Sequence, residues 1–362
     1  MPTFSIRWIC DHDREDGDRV EYYRRPSSSA SCMRWACDLP SITLPGTILR
    51  MTDPLVSVIV PVHNGDRYLG EALDSALNQD YDAIEVIVVD DGSTDGTPEV
   101  LRRFGNRIVA IRQENAGAAV ARNTAMEAAR GEFFAFLDAD DLWFPQKLRT
   151  QIDYLSAHPA VDIVASRWKV LTSDESTTAR KEALESAPLA TADVPRSGWL
   201  YTELLLRFMI HTTTVVMRRR LKDRIGLFDP ILRRGQDYEY WLRASRATEI
   251  HCVPEALSVY RMHRANSTRR PLPVNYGAVI VKRALQTWGR TGPDGRTARL
   301  VDVRRRLSDI WFSFGYQHLT YGNSGVALGC ALKGVSAWPL DPNPWRLLAA
   351  CALAPLRRNV ET

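Results

Sequence analysis

From Leu55 onward, short apolar runs alternate with stretches of helical spacing. Residues 56–62, VSVIVPV, form a near-continuous β-branched run, the pattern of a parallel strand buried on both faces. Leu69, Leu73, Ala76 and Leu77 then recur at the spacing of one helix face. Residues 84–89 predict a second buried strand, which ends in Asp90-Asp91-Gly92-Ser93. A helix over 98–104, a strand over 107–111 and an Ala-rich helix over 117–129 follow. The aromatic run at 131–137, opened by Gly131, predicts a fourth strand, closing on Asp138-Ala139-Asp140-Asp141. Beyond it the pattern predicts a helix over 145–157, a strand over 161–167, a helix over 200–208 and a strand over 212–217. A short basic helix over 218–226, a helix over 236–245 and a last strand over 256–260 complete this part, and 274–362 reads as helical. Strand alternating with helix implies right-handed crossovers, hence an α/β fold: a mostly parallel, Rossmann-like sheet flanked by helices, with a helical C-terminal extension.

Composition changes this picture little. The chain has 362 residues, 47 basic against 43 acidic, for a net charge of +4, a balance that gives no reason to invoke nucleic acid. Six cysteines are scattered without a CxxC pair, so neither a zinc site nor a disulfide framework is indicated and a reducing, cytoplasmic setting is expected. No apolar run reaches the ~18 residues that span a bilayer, and no signal peptide is visible. Residues 1–53 show no sustained period and are expected to be poorly ordered, with Met51 a candidate start of translation. Residues 171–198, rich in Ser, Thr, Ala and Glu, are expected to be a mobile loop.

Ligands of open α/β sheets bind beyond the carboxyl ends of the strands. The polar clusters at 61–64, 90–93 and 138–141 all fall there. The three carboxylates Asp138, Asp140 and Asp141 repel one another at the end of a buried strand and are costly to desolvate. A divalent cation carrying phosphates would relieve them, since hard oxygens suit Mg²⁺ or Mn²⁺. An acidic turn opening the following helix is the other reading.

With these residues in view, the chain resembles glycosyltransferase family 2, with its GT-A fold. The carriers are VSVIVPVHN at 56–64, VVDDGSTDGT at 88–97, NAGAAVARN at 115–123, FLDADD at 136–141, GQDYEYWLR at 235–243 and YRMH at 260–263, spread over about residues 54–266. The resemblance implies an inverting transfer of a sugar from a nucleotide-sugar donor to an acceptor hydroxyl, on a carbohydrate or lipid-linked acceptor, in cell-surface polysaccharide or glycoconjugate synthesis. It implies a nucleotide-binding half over 54–141 and an acceptor half over 142–266. Pro61, Val62 and Asn64 would present the first loop to the nucleoside, and Asp91 would accept from the base. A carboxylate that accepts from an imide N–H favours UDP- or dTDP-sugars. Gly117 would let the loop approach a phosphate at a helix N-terminus, and Arg122 would reach the diphosphate. Asp138 and Asp140 match the family's DXD positions, with Asp140 the more direct metal ligand. Arg261 and His263 match a pattern that closes over the diphosphate, with His263 a third metal ligand or a phosphate donor. Asp237 would be the catalytic base, with Gln236 and Trp241 on the acceptor side. The family commonly has Glu-Asp where this chain has Gln236-Asp237, which puts any contact made by the missing carboxylate in question.

Two other readings stand beside this one. A sugar-nucleotide nucleotidyltransferase would need a Gly-rich, basic triphosphate loop after the first strand, and VPVHNGDRYLG is a poor candidate. A catalytically silent nucleotide-sugar-binding protein has no evident use for Asp138, Asp140 and Asp237 together. In the tail, two short apolar stretches at 326–338 and 345–356, with Trp338, Trp345 and a terminal Arg357-Arg358, suit attachment to a membrane surface. They equally suit helices that cover the sheet domain.

Overall fold

The computed structural model describes residues 53–172, 197–263 and 271–358. The expectations for 1–52, and for most of the loop at 171–198, lie outside them. Eight strands form one mixed sheet in the order β3-β2-β1-β4-β7-β6-β8-β5. The strands are β1 (Val56–Val62), β2 (Ile84–Asp91), β3 (Val109–Gln113), β4 (Phe133–Phe136), β5 (Leu142–Trp143), β6 (Ile163–Thr172), β7 (Val216–Arg218) and β8 (Ile250–Met262). Strands β3, β2, β1 and β4 are mutually parallel. Strand β7 runs against both β4 and β6, β6 is parallel to β8, and β5 runs against β8.

Every residue of β1 is buried, as is all of β2 after Ile84. Two apolar layers cover the faces. One packs Leu69, Leu73 and Ala76 of helix α1 (Leu69–Leu77) and Val100, Leu101 and Phe104 of α2 (Thr97–Phe104) against Val58, Val60 and Val88. The other packs Ala121 and Ala125 of α3 (Ala118–Ala128) with Phe134, Phe136 and Trp241. The remaining helices of the sheet region are α4 (Lys147–Ala157), α5 (Tyr201–Leu206), α6 (Arg219–Ile225) and α7 (Gln236–Ala247). They are followed by α8 (Tyr276–Trp288), α9 (Leu300–Tyr321), α10 (Ser324–Ala337) and α11 (Pro342–Arg358).

Three elements differ from the sequence expectation, each for a local reason. The two-residue β5 lies between the acidic cluster and the helix expected from 145, where no strand is expected; it is too short to carry a period. Residues Thr212–Thr214 form a single 3₁₀ turn before β7 rather than the opening of a strand. The last strand is far longer than 256–260: β8 runs alongside β6 for its whole length, with the register broken where the partner of Ser166 is Val253 and that of Arg167 is Ala256. Pro254 and Glu255 are bulged out there. Proline has no N–H for the ladder, so the sequence pattern shows only the part of the strand after the break.

Lys147, at the start of α4, is fully buried, with its amine 2.5 Å from Gln151 Oε1 and 4.5 Å from the Trp143 ring. Burial pushes its pKa well below that of an ordinary lysine. The folded chain therefore gives up a proton that the unfolded chain keeps, and stability climbs with pH toward the ordinary lysine value of about 10.4. Lys147→Met removes that titration. In urea titrations the variant should be more stable than wild type at mildly acidic pH, with an advantage that shrinks as pH rises. A pH-independent difference would show that the amine is not desolvated in the fold.

Candidate active site

The topology delivers the predicted residues to one edge. Strands β1, β2 and β4 end there. So does β8, because two reversals, at β7 and then β6, restore the original direction. Strand β7 begins at that same edge, which brings Thr212 there, and His263 follows the end of β8.

The first loop is held by the second. Pro61 and Val62 are buried in the ladder opposite Val89 and Asp90. Asn64 takes a left-handed φ of 53°, its N–H donating to Ser93 Oγ (2.9 Å) and its Oδ1 accepting from Thr94 N (2.8 Å). His63 Nδ1 lies 2.8 Å from the Asp91 carbonyl. A carbonyl only accepts, so this nitrogen carries the proton. His63 Nε2 is then left to accept from Asn115 Nδ2 at 3.1 Å. His63 thus ties three loops together and is a packing residue.

Asp91 is buried and heavily engaged. Its Oδ1 accepts from Gln113 Nε2 (2.8 Å) and Ala116 N (2.8 Å), and its Oδ2 from Gly117 N (2.7 Å). A carboxylate offers about four lone-pair sites, so one remains for a ligand. Gly92, at φ 73°, lets this loop close, since a Cβ there would stand 2.9 Å from Asn115 N. Gly117, at φ 96°, opens α3, and Arg233 donates to the Ala116 carbonyl beside it (3.0 Å).

Arg122 is drawn inward rather than presented to a ligand. It is buried, its Nη2 donates to Asp138 Oδ1 at 2.6 Å, and its guanidinium lies over the Phe228 ring at 5.7 Å. Its Nε and Nη1 are buried with no acceptor among the described residues. It acts on the edge through Asp138. Asn123, next to it, clamps both the carbonyl (2.8 Å) and the N–H (2.9 Å) of Phe228, which fixes the segment leading to α7.

Asp138 has its pKa raised above the ordinary carboxylate range, chiefly by burial. The Arg122 guanidinium opposes the rise, and the charges of Asp140 and Asp237 add to it. Asp140 Oδ2 lies 3.0 Å from His263 Nε2. Asp141 is different in kind: it is fully buried, and its Oδ1 accepts from Arg261 N at 2.9 Å. Burial holds its pKa well up. It folds the acidic loop onto β8 and faces no ligand.

Two residues expected at the ligand surface are elsewhere. Arg261 is buried; its Nε donates to the Asp140 carbonyl (3.0 Å), its Nη2 to Glu71 (2.7 Å), and it lies over the Tyr68 ring at 4.5 Å. It braces the Asp140–His263 strap from behind. Trp241 is fully buried between Phe136 and Phe228, both edge-on to it, so it builds the core under α7 and does not touch an acceptor. Gln236 is half-buried, with an Oε1 that lacks a donor among the described residues.

Asp237 sits in the first turn of α7 behind Gly235, which occupies the cap position at φ 73°. Its Oδ2 accepts from the Thr212 hydroxyl at 3.0 Å. Glu239, two residues on, is gripped at both oxygens by Arg243 (2.7 and 2.8 Å) and is buried. Beside Asp237 stands His211, which the sequence reading passed over. Its ring contacts Tyr260 (4.6 Å) and Trp168 (4.8 Å), burial lowers its pKa, and the charges of Asp237 and Asp138 pull the other way. A lone His before three threonines carries no motif; only the antiparallel entry of β7 brings it to the edge.

Among the described residues, no three His, Cys, Asp or Glu side chains converge to hold an ion unaided. A divalent ion nonetheless fits the donor set. A carboxylate oxygen and an imidazole nitrogen stand 3.0 Å apart, next to a carboxylate whose pKa is raised chiefly by burial. Diphosphate oxygens would complete the shell.

A sequence profile described as glycosyl transferase family 2 matches residues 57–224, so Asp237 lies beyond it. The chain is 33% identical over 214 residues to a Bacillus subtilis glycosyltransferase assigned to teichuronic acid biosynthesis, TuaG, covering 58% of this chain and 79% of that one. In three dimensions it resembles S. aureus TarS 1–349 in complex with UDP-GlcNAc, with a TM-score of 0.55 and 19% identity over 82% of this chain and 83% of that one. Against another structure of S. aureus TarS the match covers 79% of this chain and 49% of that one. A mannosyltransferase from Pyrobaculum calidifontis in complex with GDP-Man and Mn²⁺ aligns with a TM-score of 0.53 and 22% identity over 84% of this chain and 81% of that one.

Proposed function

The chain belongs to glycosyltransferase family 2, and from that premise we propose an inverting, metal-assisted transfer of a sugar from a UDP- or dTDP-sugar to an acceptor hydroxyl. The observation that supports this reading is that Asp237, which accepts from Thr212 just before β7, stands at the same sheet edge as Asp138 and the Asp140–His263 pair. The loops after β1 and β2 receive the nucleoside. The free lone pair of Asp91 accepts the imide N–H of uracil or thymine, and the N-terminus of α3 behind Gly117 favours the phosphates. Asp140 and His263 would hold Mn²⁺ or Mg²⁺, which when bound neutralises charge on the departing diphosphate.

On the acceptor side, Thr212 fixes the Asp237 carboxylate. Asp237 takes the proton of the acceptor hydroxyl as its oxygen bonds to the anomeric carbon. The bond from that carbon to the diphosphate oxygen breaks, and the electron pair leaves with the nucleotide. One displacement inverts the anomeric centre and needs no enzyme nucleophile. The similarity to TuaG supports an acceptor in cell-surface polysaccharide synthesis.

Parallel incubations with UDP-, dTDP- and GDP-sugars, each with and without Mn²⁺, test the reading. A UDP- or dTDP-sugar should raise the melting temperature and release its nucleotide only with the metal. Binding without release in any acceptor mixture would leave a silent binder, and no binding to any of the donors would overturn the assignment.

A further inference from the structure

The three C-terminal helices complete a small core of their own. Ala327 and Ala331 of α10 and Leu347 and Cys351 of α11 are buried together, with Phe312, Leu319 and Leu348 packed on them. That core uses one side of each helix. On the side away from it, α10 exposes Leu328 (41%) and Leu332 (55%), one turn apart. Helix α11 exposes Trp345 (49%) and Leu353 (53%), with exposed Ala349 on the same ridge between them. Leu340, in the turn that joins the two helices, is 78% exposed. Apolar side chains this large, repeated along outer ridges after the inner ones have been buried, mark a surface that something covers.

Charge identifies the covering material. Between residues 324 and 358 the sequence holds one carboxylate, Asp341, against the basic Lys333, Arg346, Arg357 and Arg358. Asp341 is turned to the chain's own use, accepting from Asn343 N at 2.9 Å and Ser308 Oγ at 3.3 Å. Lys333, whose ammonium lies 4.7 Å over the Trp311 ring, and Arg346 are both exposed on these two helices. The Trp345 indole N–H is already satisfied by the Pro339 carbonyl at 2.9 Å, so its ring can enter an apolar layer without losing a hydrogen bond. Among the described residues, no helix is long and apolar enough to cross a bilayer. A self-complementary interface with a second copy would bring the same basic residues together without carboxylates to offset them.

We propose that the outer face of α10 and α11 lies on a membrane surface rich in anionic lipid, with the leucines and Trp345 in the interface and the basic residues on the headgroups. This goes beyond the catalytic reading and is independent of it, because its test needs no donor or acceptor.

The full chain is floated on density gradients with vesicles of phosphatidylcholine alone and of phosphatidylcholine with phosphatidylglycerol. It should rise with the anionic vesicles, stay down with the neutral ones, and be released by high salt. Leu328→Gln, Leu332→Gln and Leu353→Gln together should weaken binding about tenfold or more without lowering the melting temperature, since these side chains are outside the core. Lys333→Glu with Arg346→Glu, which leaves the buried core in place and gives up only the contact of Lys333 with the Trp311 ring, should weaken it about tenfold or more as well. Absence of flotation with anionic vesicles, equal flotation with both kinds, or wild-type flotation of the charge-reversed protein each overturns the proposal. A dimer in sedimentation that the leucine variant dissociates, with no flotation, would assign the face to a second copy instead.

Discussion

Asp237→Asn should lower turnover by on the order of 10²-fold or more while leaving donor affinity and melting temperature near wild type. The size follows from the role. Removing the base forces the acceptor hydroxyl to attack while keeping its proton, which forfeits the whole of general-base catalysis. The selectivity follows from the geometry. Gly235, not Asp237, occupies the cap position of α7; Asp237 Oδ1 accepts only from the adjacent Tyr238 N, at 2.8 Å, and loss of that one contact leaves the cap in place. The Thr212 hydroxyl, which donates to Asp237 Oδ2, finds an equivalent carbonyl oxygen in asparagine. The residues proposed to hold the donor are others and are untouched. Turnover and the donor dissociation constant, measured on the same preparation, separate this from a structural role, because a misfolded protein loses both. Transfer at close to the wild-type rate would move the base elsewhere. Glu239 is not the next candidate, because Arg243 holds both of its oxygens. His211 is, since its lowered pKa leaves a neutral, proton-accepting imidazole beside the same site.

His211 shows where sequence reasoning stops. The parallel half of the sheet was legible because β1, β2 and β4 are apolar runs bounded by Gly and Asp, each ending in a polar cluster. Burial on both faces leaves no alternation to misread. The antiparallel half was less so: β7 spans three residues and β5 two, too short to carry a period, and a bulge at Pro254 splits β8. Those three strands nevertheless decide which side chains meet, because their directions bring Thr212, His211 and His263 to the edge that holds Asp140. Motif spacing singles out Asp237, Asp138 and Asp140 along the chain without saying which way a side chain points. Arg122, Arg261 and Trp241 are the result. Each belongs to a segment expected at the ligand, and each is turned into the protein, two to brace a carboxylate loop and one to fill the core. Pairing partners such as Glu71 for Arg261 are separated by 190 residues in sequence and leave no local trace.

That distinction between facing out and bracing from behind sets the other large effect, at the two carboxylates of the acidic loop. Asp140→Ala should abolish metal-dependent donor binding, with a loss of at least about 10²-fold in apparent donor affinity in Mn²⁺, because even outer partners of a metal ligand cost 10- to 100-fold. The fold should survive. The Asp140 carbonyl, which Arg261 Nε uses, is backbone and persists in the variant, and removal of the Asp140 charge relieves Asp138 and Asp141, whose pKa values it helps to raise. Asp138→Ala should behave in the opposite manner. Its Oδ1 is already engaged by Arg122 at 2.6 Å, so metal affinity should fall less. The variant strands a buried guanidinium, however, and breaking one side of a buried ion pair costs about 3–5 kcal/mol. Titrating Mn²⁺ against donor-induced melting shifts in both variants reads the two quantities together. Unchanged Mn²⁺ dependence in Asp140→Ala would remove the ion from this edge. A melting temperature that falls for Asp140→Ala and holds for Asp138→Ala would mean that the bracing and the ligating carboxylates have exchanged roles.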